Sequence, residues 1–360
     1  MKYLFSVLYR LFFAFTLLVY ALTFFAFSGH WAAGFLMMSL PALVAIHALF
    51  FVISLLSKRP HWLALMAIGL SFPFWARTFQ VFASSDANED AHNLTVLSYN
   101  TMGFDMLNYL ENKNRQNALN ILDWAKNTDA DIKCFQEFYN RQKSETFNSI
   151  EQFQQAGYPY YATLRPPYSR SNNNFMGMVI FSKYPIIHSE YEVFGGDTNG
   201  ALYADIVVKK DTIRVINVHL RSMIVRFGGV REAYQDKDYG QGKSEVRKIA
   251  GKLKRGFIHH EEEVHLLTDW IDQSPYPVLV CGDFNETPYS YSYGQMTKRL
   301  ANAFETAGRG FGFTYQNMPK LIRIDQQFYD QKTFEVVDFQ TLREVKYSDH
   351  YPIVGKYRMK

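Results

Sequence analysis

The sequence has few cysteines and little excess charge. Two of its 360 residues are cysteine, Cys134 and Cys281, and the net charge is +4. Two cysteines allow one disulfide at most, and zinc ligation by several cysteines is missing. Both lie within apolar, strand-like runs, so we expect buried free thiols. An oxidising location would permit a disulfide if the two side chains approached closely enough.

The small net charge also bears on two polar segments. Basic residues cluster between positions 243 and 255, namely Lys243, Arg247, Lys248, Lys252, Lys254 and Arg255. They could bind a phosphate backbone or an anionic bilayer, but without a long basic stripe they favour a solvated helix end. The run HHEEEVH, residues 259–265, lacks the four-residue histidine spacing of a zinc protease helix and predicts a solvated helix surface.

Three apolar segments open the chain, at residues 11–27, 31–56 and 62–82. Each is roughly long enough to cross a ~30 Å hydrocarbon layer as a helix. They predict a membrane anchor of two or three transmembrane helices within residues 1–82. A cleaved leader is the alternative for the first segment, but two more segments follow it and no small-residue cleavage pattern stands out. Arg77 lies inside the third segment, where a charged side chain is costly unless it reaches the membrane interface or faces the other helices.

Basic residues are distributed unevenly around these segments. Lys2 and Arg10 accompany the first segment, and Lys58 and Arg59 follow the second, whereas the intervening SGH turn has neither type. By the positive-inside rule the N-terminus and the second loop are cytoplasmic. Three spans then predict an integral protein of the inner or plasma membrane whose remaining chain is extracytoplasmic. A third segment that only lay on the surface would reverse that side.

The rest of the chain has the pattern of one soluble domain. Residues 83–93 are small and acidic and predict a linker, and residues 94–360 contain no repeat. Short β-branched and aromatic runs alternate there with helical candidates at Asn114–Lys126, Ser144–Ala156 and Lys243–Ile271. The run ALYADIVVKKDTIRVINVHL predicts a hairpin. Hairpins mixed with helical crossovers favour an α+β class over a doubly wound parallel sheet.

Several predicted strands have an acid, an amide or an imidazole at one end. Asn100, Glu137, His219, Asp283 and Asn285 lie where apolar runs stop, and Asp349 and His350 lie just ahead of the last strand. One such residue alone is typical of a cap or turn. A carboxylate such as Glu137 beside an apolar strand is costly to bury unless a cation or a donor compensates it. Oxygen ligands from Asn100, Glu137 and Asp349 suit Mg²⁺ or Mn²⁺.

Seven motifs resemble, in order, those of the endonuclease/exonuclease/phosphatase superfamily, which includes deoxyribonuclease I, apurinic-site endonucleases, neutral sphingomyelinases and inositol polyphosphate phosphatases. They span residues 94–357 and read SYNTMGF, FQEF, GMVIFSKYPI, NVHL, GDFNETPYS, RIDQQFY and SDHYPIV. The GDFN and SDH elements are the most specific. The resemblance implies a four-layer α/β/β/α sandwich. Gln326 and Gln327 depart from the family pattern, which often has Tyr or His and an aliphatic residue after RID.

The resemblance also implies a metal site and a catalytic set. Glu137 resembles the principal ligand of Mg²⁺, or of Mn²⁺, with Asn100 and Asp349 completing or supporting the site. Magnesium sites typically keep several waters and use only one or two carboxylates. Glu137, Asn100 and Asp349 fit a magnesium site with so few protein ligands.

Five further residues resemble catalytic groups of the family. Asp283 resembles the acid that orients or deprotonates the attacking water, and Asn285 resembles the amide that holds the scissile phosphate. His350 resembles the catalytic histidine, and Asp325 the carboxylate that fixes its tautomer. His219 in NVHL resembles the second histidine of the deoxyribonuclease and sphingomyelinase branches, which can donate to a phosphate oxygen.

The function implied is a membrane-tethered, Mg²⁺-dependent phosphoesterase that hydrolyses phosphodiesters by in-line attack of water. A nuclease-type hydrolase is the first interpretation. A phospholipid or sphingomyelin-type phosphodiesterase and an inositol-phosphate-type phosphatase are alternatives, and a non-catalytic protein of the same fold is a further one. The implied partners are a nucleic acid or lipid headgroup and the membrane, and no protein partner can be inferred. Two irregular segments, residues 165–175 and 221–242, lie beside motifs, and we predict that the longer one shapes substrate access.

Overall fold

The computed structural model describes residues 2–57, 62–81, 94–166, 173–195, 198–223, 239–317 and 320–360. The predicted linker at 83–93 lies outside the described residues. So does much of the two irregular segments, at 167–172 and 224–238. Their predicted roles therefore stay predictions.

The apolar N-terminal part forms a small helical bundle. Its elements are α1 (Lys2–Phe25), α2 (Trp31–Met38), α3 (Leu40–Leu56), α4 (Trp62–Leu70) and a 3-10 helix at Phe72–Arg77. The second apolar segment breaks between α2 and α3 because Pro41, in the first turn of α3, has no N–H to continue the ladder. Among the described residues, two helical stretches are long and apolar enough to cross a membrane, Tyr3–Phe25 and Trp31–Leu56.

Two six-stranded sheets form the centre of the molecule. In spatial order, the first contains β10 (Ala301–Asn302), β12 (Asp325–Tyr329), β9 (Val278–Asp283), β8 (Asp211–His219), β7 (Gly200–Val208) and β6 (Ile186–Val193). The second contains β13 (Phe334–Thr341), β14 (Ile353–Met359), β2 (Leu94–Asn100), β3 (Ile132–Arg141), β5 (Asn174–Ser182) and β4 (Tyr160–Leu164). A separate short pair joins β1 (Phe79–Gln80) to β11 (Gly310–Phe311).

Most neighbouring strands are antiparallel, and one pair in each sheet is parallel. β2 runs parallel to β3, and β8 runs parallel to β9. A parallel pair needs a long crossover, which α6 (Arg115–Asn127) and α8 (Tyr239–Asp272) provide. The predicted hairpin is confirmed, because β7 and β8 pair antiparallel from Gly200↔His219 to Val208↔Asp211.

The sheets and helices stack in four layers. Apolar residues from both sheets meet in one core, for example Ile180 of β5 and Leu202 of β7. On the outer face of the second sheet lie α6 and α7 (Ser149–Gln155), and on the outer face of the first lie α8 and α9 (Tyr291–Thr297). Three helices are shorter, α5 (Met106–Leu110), α10 (Ala303–Ala307) and a 3-10 helix at Met102–Asp105. The α+β class and the four-layer sandwich are therefore confirmed.

Polar and sulfur side chains in the middle of the sandwich have partners across it. Cys134 and Cys281 are free, buried thiols in the core between the sheets, as expected. Gln327, one of the two family departures, is accommodated because it donates to Val96 O at 3.1 Å and accepts from Tyr357 Oη at 2.7 Å. Gln327 thus joins β12 of one sheet to strands of the other.

The helical bundle contacts the sandwich through polar groups where α1 and the third apolar segment end, and through apolar packing of α2 on α8. Arg77 Nη1 donates to Pro288 O at 2.9 Å, and Arg323 donates to Arg77 O through Nη2 at 2.7 Å. At the end of α1, Ala26 O accepts from Gln295 Nε2 at 2.7 Å. The charge in the third apolar segment, Arg77, is buried in this junction.

Candidate active site

Strand ends of the first sheet and β2 of the second bring the predicted residues together. Parallel register places His219, at the end of β8, beside Asp283, at the end of β9. His219 Nε2 is 3.6 Å from Asp283 Oδ2, and Asn100 Nδ2, at the end of β2, donates to the same oxygen at 3.2 Å. Asp325, the first residue of β12, pairs with Asp283 on the other side. One buried carboxylate therefore lies at the centre.

Glu137 reaches the same place through an irregularity in β3. The pairing of β3 with β5 shifts register between Phe135 and Phe138, and Glu137 has a φ of 50°. A bulge of this kind redirects a side chain that regular pleating would point elsewhere. Glu137 Oε1 consequently lies 3.4 Å from Asn100 Nδ2 and 3.8 Å from His219 Nε2.

His350 and Asp325 form a buried pair. His350 Nδ1 and Asp325 Oδ2 are 2.9 Å apart, and His350 Nε2 lies 3.7 Å from Asp283 Oδ2. Thr314 Oγ1 accepts from the backbone N–H of Asp325 at 3.1 Å and so holds its strand start. Burial alone would lower the pKa of His350, but the charges of Asp325 and Asp283 raise it to about 10.

His219 has the opposite electrostatic balance. Its Nδ1 is 3.3 Å from the carbonyl oxygen of Thr198, and a carbonyl can only accept, so Nδ1 carries a proton there. Burial lowers the pKa of His219, although the nearby Asp283 opposes the shift. The two histidines therefore differ in charge state around neutral pH, which suits them to different proton-transfer roles.

The backbone after β9 adopts a tight turn that fixes the GDFN residues. Asp283 Oδ1 accepts from the N–H of Asn285 at 2.8 Å, and Asn285 has a φ of 50°. An aspartate that bonds the N–H two residues on is a common turn former. Asn285 Nδ2 donates to Leu220 O at 2.8 Å, which ties the turn to the end of β8.

Seven of the eight predicted residues line one cavity of about 1000 Å³. They are Asn100, Glu137, His219, Asp283, Asn285, Asp349 and His350. The eighth, Asp325, lies behind His350 as its hydrogen-bond partner. Asp349 is half-buried, and Ser348 Oγ lies 3.3 Å from its Oδ1.

The cavity carries an excess of carboxylates whose charges disfavour one another. Burial and then Asp349 raise the pKa of Glu137, with His350 opposing. Burial and then Asp325 raise the pKa of Asp283, with His350 and His219 opposing. Such a set of oxygen donors fits a hard divalent cation, which would relieve the repulsion. Among the described acidic, histidine and cysteine residues, Asp283, Asp325 and His350 form a group whose ligand atoms lie within 4.8 Å of one another, and none of the three belongs to the predicted ligand set.

A second buried cluster lies behind the cavity and was not predicted. His260 Nδ1 is 3.0 Å from Glu286 Oε1, and His260 Nε2 is 2.7 Å from the carbonyl oxygen of Arg221. Glu263 Oε1 is 3.0 Å from Arg221 Nε. The interpretation of HHEEEVH as a solvated surface is therefore wrong for His260 and Glu263, because they share the buried face of α8 with Val264. The apolar spacing of Val264, Leu267 and Ile271 is the signal that could have revealed this.

Residues 97–350 match the model of the Endonuclease/Exonuclease/phosphatase family. The chain belongs to this family. It is thus a phosphoesterase of that superfamily, with the fold and motif order that the sequence resemblance implied. Residues 2–78 match a second model, described as a domain of unknown function.

Individual relatives of the phosphoesterase are distant. A sphingomyelinase of Dictyostelium discoideum is 37% identical over 89 residues, 22% of this chain and 19% of that protein, so the chain spans about a fifth of that relative's length. The crystal structure of humanized D. rerio TDP2 is 14% identical, covers 74% of this chain and 99% of its own, and has a TM-score of 0.51. A family member from Bacteroides thetaiotaomicron is 17% identical, with 74% and 98% covered and a TM-score of 0.49. At the identity of TDP2, the likeness concerns the fold.

Proposed function

We propose that the chain is a membrane-anchored, Mg²⁺-dependent phosphodiesterase that uses water as nucleophile. The observation that carries this proposal is the convergence on Asp283. Its Oδ2 lies 3.2 Å from Asn100, 3.6 Å from His219 and 3.7 Å from His350. These groups come from three strands and one loop, and a core packed for stability alone does not require so many ionisable side chains at one point.

Glu137 would hold the ion, with Asn100 and Asp349 beside it, and Mn²⁺ could replace Mg²⁺ at such oxygen ligands. When bound, the cation supplies charge neutralisation of the phosphate and stabilisation of the leaving oxygen. With the cation bound, the pKa values of the buried carboxylates would be raised less. Cation binding and the charge states of the catalytic groups would therefore depend on each other.

The protein's own residues would then position water and protons. Asp283 is fixed by the N–H of Asn285 through Oδ1, which leaves Oδ2 to orient the attacking water and accept its proton. His350, held by Asp325 and with a pKa of about 10, would be protonated and donate to a phosphate oxygen. His219 lies on the other side of Asp283 and would contact the phosphate there. Asn285 has a second amide N–H with which to hold the phosphate.

We further propose that residues 1–82 anchor the enzyme and residues 94–360 form the catalytic domain, joined by a linker at 83–93. Support comes from the exposure of the bundle, since only 33% and 22% of the two long apolar stretches are buried. A core helix of a soluble protein would be mostly buried, and Leu11 and Leu49 are 62% and 61% exposed. The third segment packs against α1 through Tyr20 Oη, which donates to Ala67 O at 3.0 Å.

The direction of the third segment bears on the side of the membrane. The last residues of α1 and the last residues of the third segment both contact the catalytic domain, through Ala26 and Arg77. The third segment therefore returns toward the end of the bundle opposite to the N-terminus. With a cytoplasmic N-terminus, this direction supports an extracytoplasmic catalytic domain.

Two substrate classes remain candidates. Nucleic acid is the first interpretation of the motifs, and a lipid phosphodiester is the second. The match to a sphingomyelinase over 89 residues favours the second, although it covers only part of either protein. The membrane anchor favours it as well.

The test uses the full chain, purified in amphipol, with bis(p-nitrophenyl) phosphate as a generic phosphodiester. We expect hydrolysis that requires Mg²⁺ and stops with EDTA. Asp283→Asn should lower the rate by about 10²- to 10⁴-fold, because it removes a proton acceptor. Glu137→Gln should raise the Mg²⁺ concentration needed for half-maximal rate by about tenfold or more, as loss of one anionic ligand weakens a metal site.

Glu262→Gln is the matched control, because Glu262 is an exposed carboxylate on α8. It should leave both the rate and the Mg²⁺ requirement unchanged. Metal-independent hydrolysis, or an Asp283→Asn enzyme of undiminished rate, would contradict the proposed function.

A further inference from the structure

The active-site cavity continues beyond the catalytic groups to the membrane anchor. Its lining includes Met38 at the end of α2 and Pro41 in the first turn of α3, together with Leu253 and Phe257 of α8. Leu321 and Ile322 extend the apolar lining. One cavity therefore has a polar end, where phosphate chemistry would occur, and an apolar mouth formed partly by the anchor.

The local sequence explains why the anchor reaches the cavity. Gly34 lets α8 approach α2 closely, since a Cβ at that position would lie 2.7 Å from the ring of Phe257. The rings of Phe35 and Phe257 meet edge to face at 5.3 Å. The break before Pro41 then separates α2 from α3 at the cavity, so that Met38 and Pro41 line it from either side of the break.

The apolar lining reaches the second apolar segment at the break between α2 and α3, through Met38 and Pro41. The eight residues of α2 rise roughly 12 Å from Trp31 to Met38, a sizeable part of a ~30 Å hydrocarbon layer. Lys254 Nζ is 4.3 Å from the ring of Trp31, at the start of α2. A tryptophan with an adjacent lysine is typical of the membrane interface, which would place the start of α2 there.

The charges of the described lining residues do not suit a long polyanion. In the described part of the cavity wall, Arg323 is the one lysine or arginine. Its guanidinium already donates to Arg77 O at 2.7 Å and to Gln326 Oε1 at 2.5 Å. A nucleic-acid backbone is bound mainly through cations that neutralise successive phosphates. This wall instead offers one polar site for a single phosphate and an apolar surface beside it.

We propose that the mouth lined by Met38, Pro41, Leu253 and Phe257 binds the hydrocarbon part of a membrane lipid phosphodiester, which enters from the bilayer. The proposal rests on the proposed function and names its substrate class. In the reaction, the oxygen of water bonds to phosphorus, the bond from phosphorus to one ester oxygen breaks, and that oxygen takes a proton. The products are an alcohol and a phosphomonoester, and no redox partner is needed.

The test measures how hydrocarbon length affects binding. The full chain in amphipol hydrolyses bis(p-nitrophenyl) phosphate, and alkylphosphocholines of increasing chain length, below their micelle-forming concentrations, compete with it. We expect the inhibition constant to fall by up to about fourfold per added methylene. Met38→Gln and Leu253→Gln should weaken the longest inhibitor by about tenfold or more and weaken the shortest inhibitor much less. Leu49→Gln, an exposed bundle residue outside the cavity lining, should behave as the parent protein.

The outcomes separate the two proposals. Absence of Mg²⁺-dependent hydrolysis of the small substrate would overturn the proposed function itself. Normal hydrolysis with inhibition constants independent of chain length, or unchanged in Met38→Gln and Leu253→Gln, would overturn the lipid site alone. Cleavage of a DNA oligonucleotide in preference to sphingomyelin and phosphatidylcholine in reconstituted vesicles would also overturn it. Release of phosphocholine or phosphate ester from those vesicles, reduced in both mouth variants, is the expected result.

Discussion

At the residue scale, the pairing of His350 with Asp325 has a thermodynamic consequence. The pKa of His350 is raised to about 10 in the folded protein, against an ordinary value of 6.5. The folded state therefore binds this proton more tightly than the unfolded state. Linkage then requires that the pair stabilises the fold fully below pH 6.5 and loses that contribution as the pH rises through about 10.

We expect the melting temperature of the metal-free protein in EDTA to fall between pH 6.5 and 10. His350→Asn should remove much of this fall, so that the two proteins differ by about 5 °C or more at the acidic end and converge at the alkaline end. Thermal unfolding followed by circular dichroism over this pH range is the measurement. His265→Asn, which changes an exposed histidine of α8, should retain the parental slope. Parallel curves for the parent and His350→Asn would contradict the assignment.

At the scale of the element, β9 ends in a glycine that the geometry requires. Gly282 has a φ of 142°, and a Cβ there would lie 2.0 Å from the backbone oxygen of Val218 in β8. The close approach of β8 to β9 at this point sets His219 beside Asp283. The glycine of GDFN thus allows the close approach of the two strands that brings His219 and Asp283 together.

Gly282→Ala should therefore destabilise the protein by about 2–4 kcal/mol, because the backbone of Val218 must move and alanine disfavours this φ. Thermal unfolding should show a lower melting temperature, and the hydrolysis rate should fall with it because the strand ends separate. Gly69→Ala is the matched control, since a Cβ at Gly69 meets nothing within 4 Å. Equal melting temperatures for the two variants would contradict the need for glycine where β8 and β9 approach closely.

At the scale of the whole molecule, the helical bundle and the sandwich share a polar junction. Arg77 Nη1 donates to Pro288 O, and Arg323 donates to Arg77 O. Pro288 and Tyr289 follow directly on the residues GDFNET, and Thr78 Oγ1 is 2.7 Å from Tyr289 Oη. The helical bundle therefore contacts the same loop that contains Asn285.

The topology proposal can be tested with single cysteines, because both native thiols are buried. Lys210→Cys places a thiol in the exposed β7–β8 turn of the catalytic domain, and Ser57→Cys places one at the far end of α3. In intact cells, a membrane-impermeant maleimide should label Lys210→Cys and spare Ser57→Cys. After permeabilisation both should react. Labelling of Ser57→Cys alone in intact cells would put the catalytic domain in the cytoplasm.

The sequence by itself determined the residue types at the site and the class of fold. Strand formation depends largely on neighbours in the chain. The apolar runs that stop at Asn100, Glu137, His219 or Asp283 could therefore be predicted from the local sequence. Asp325 was predicted as a site residue from the order of the family motifs, because the residues next to it in the sequence did not indicate a site. The predicted hairpin and the helices α6, α7 and α8 follow from the same short-range periodicities, although α7 is shorter than predicted.

Only the tertiary structure decided which surfaces meet. His260 and Glu263 are buried because of where α8 packs. Arg77 donates a hydrogen bond to the carbonyl oxygen of Pro288, more than two hundred residues away along the chain. The apolar mouth likewise joins Met38 and Pro41 to Phe257, far apart in sequence. Periodicity specifies the form of each element, but burial and charge compensation depend on the neighbours that packing supplies, and these decide what the cavity can bind.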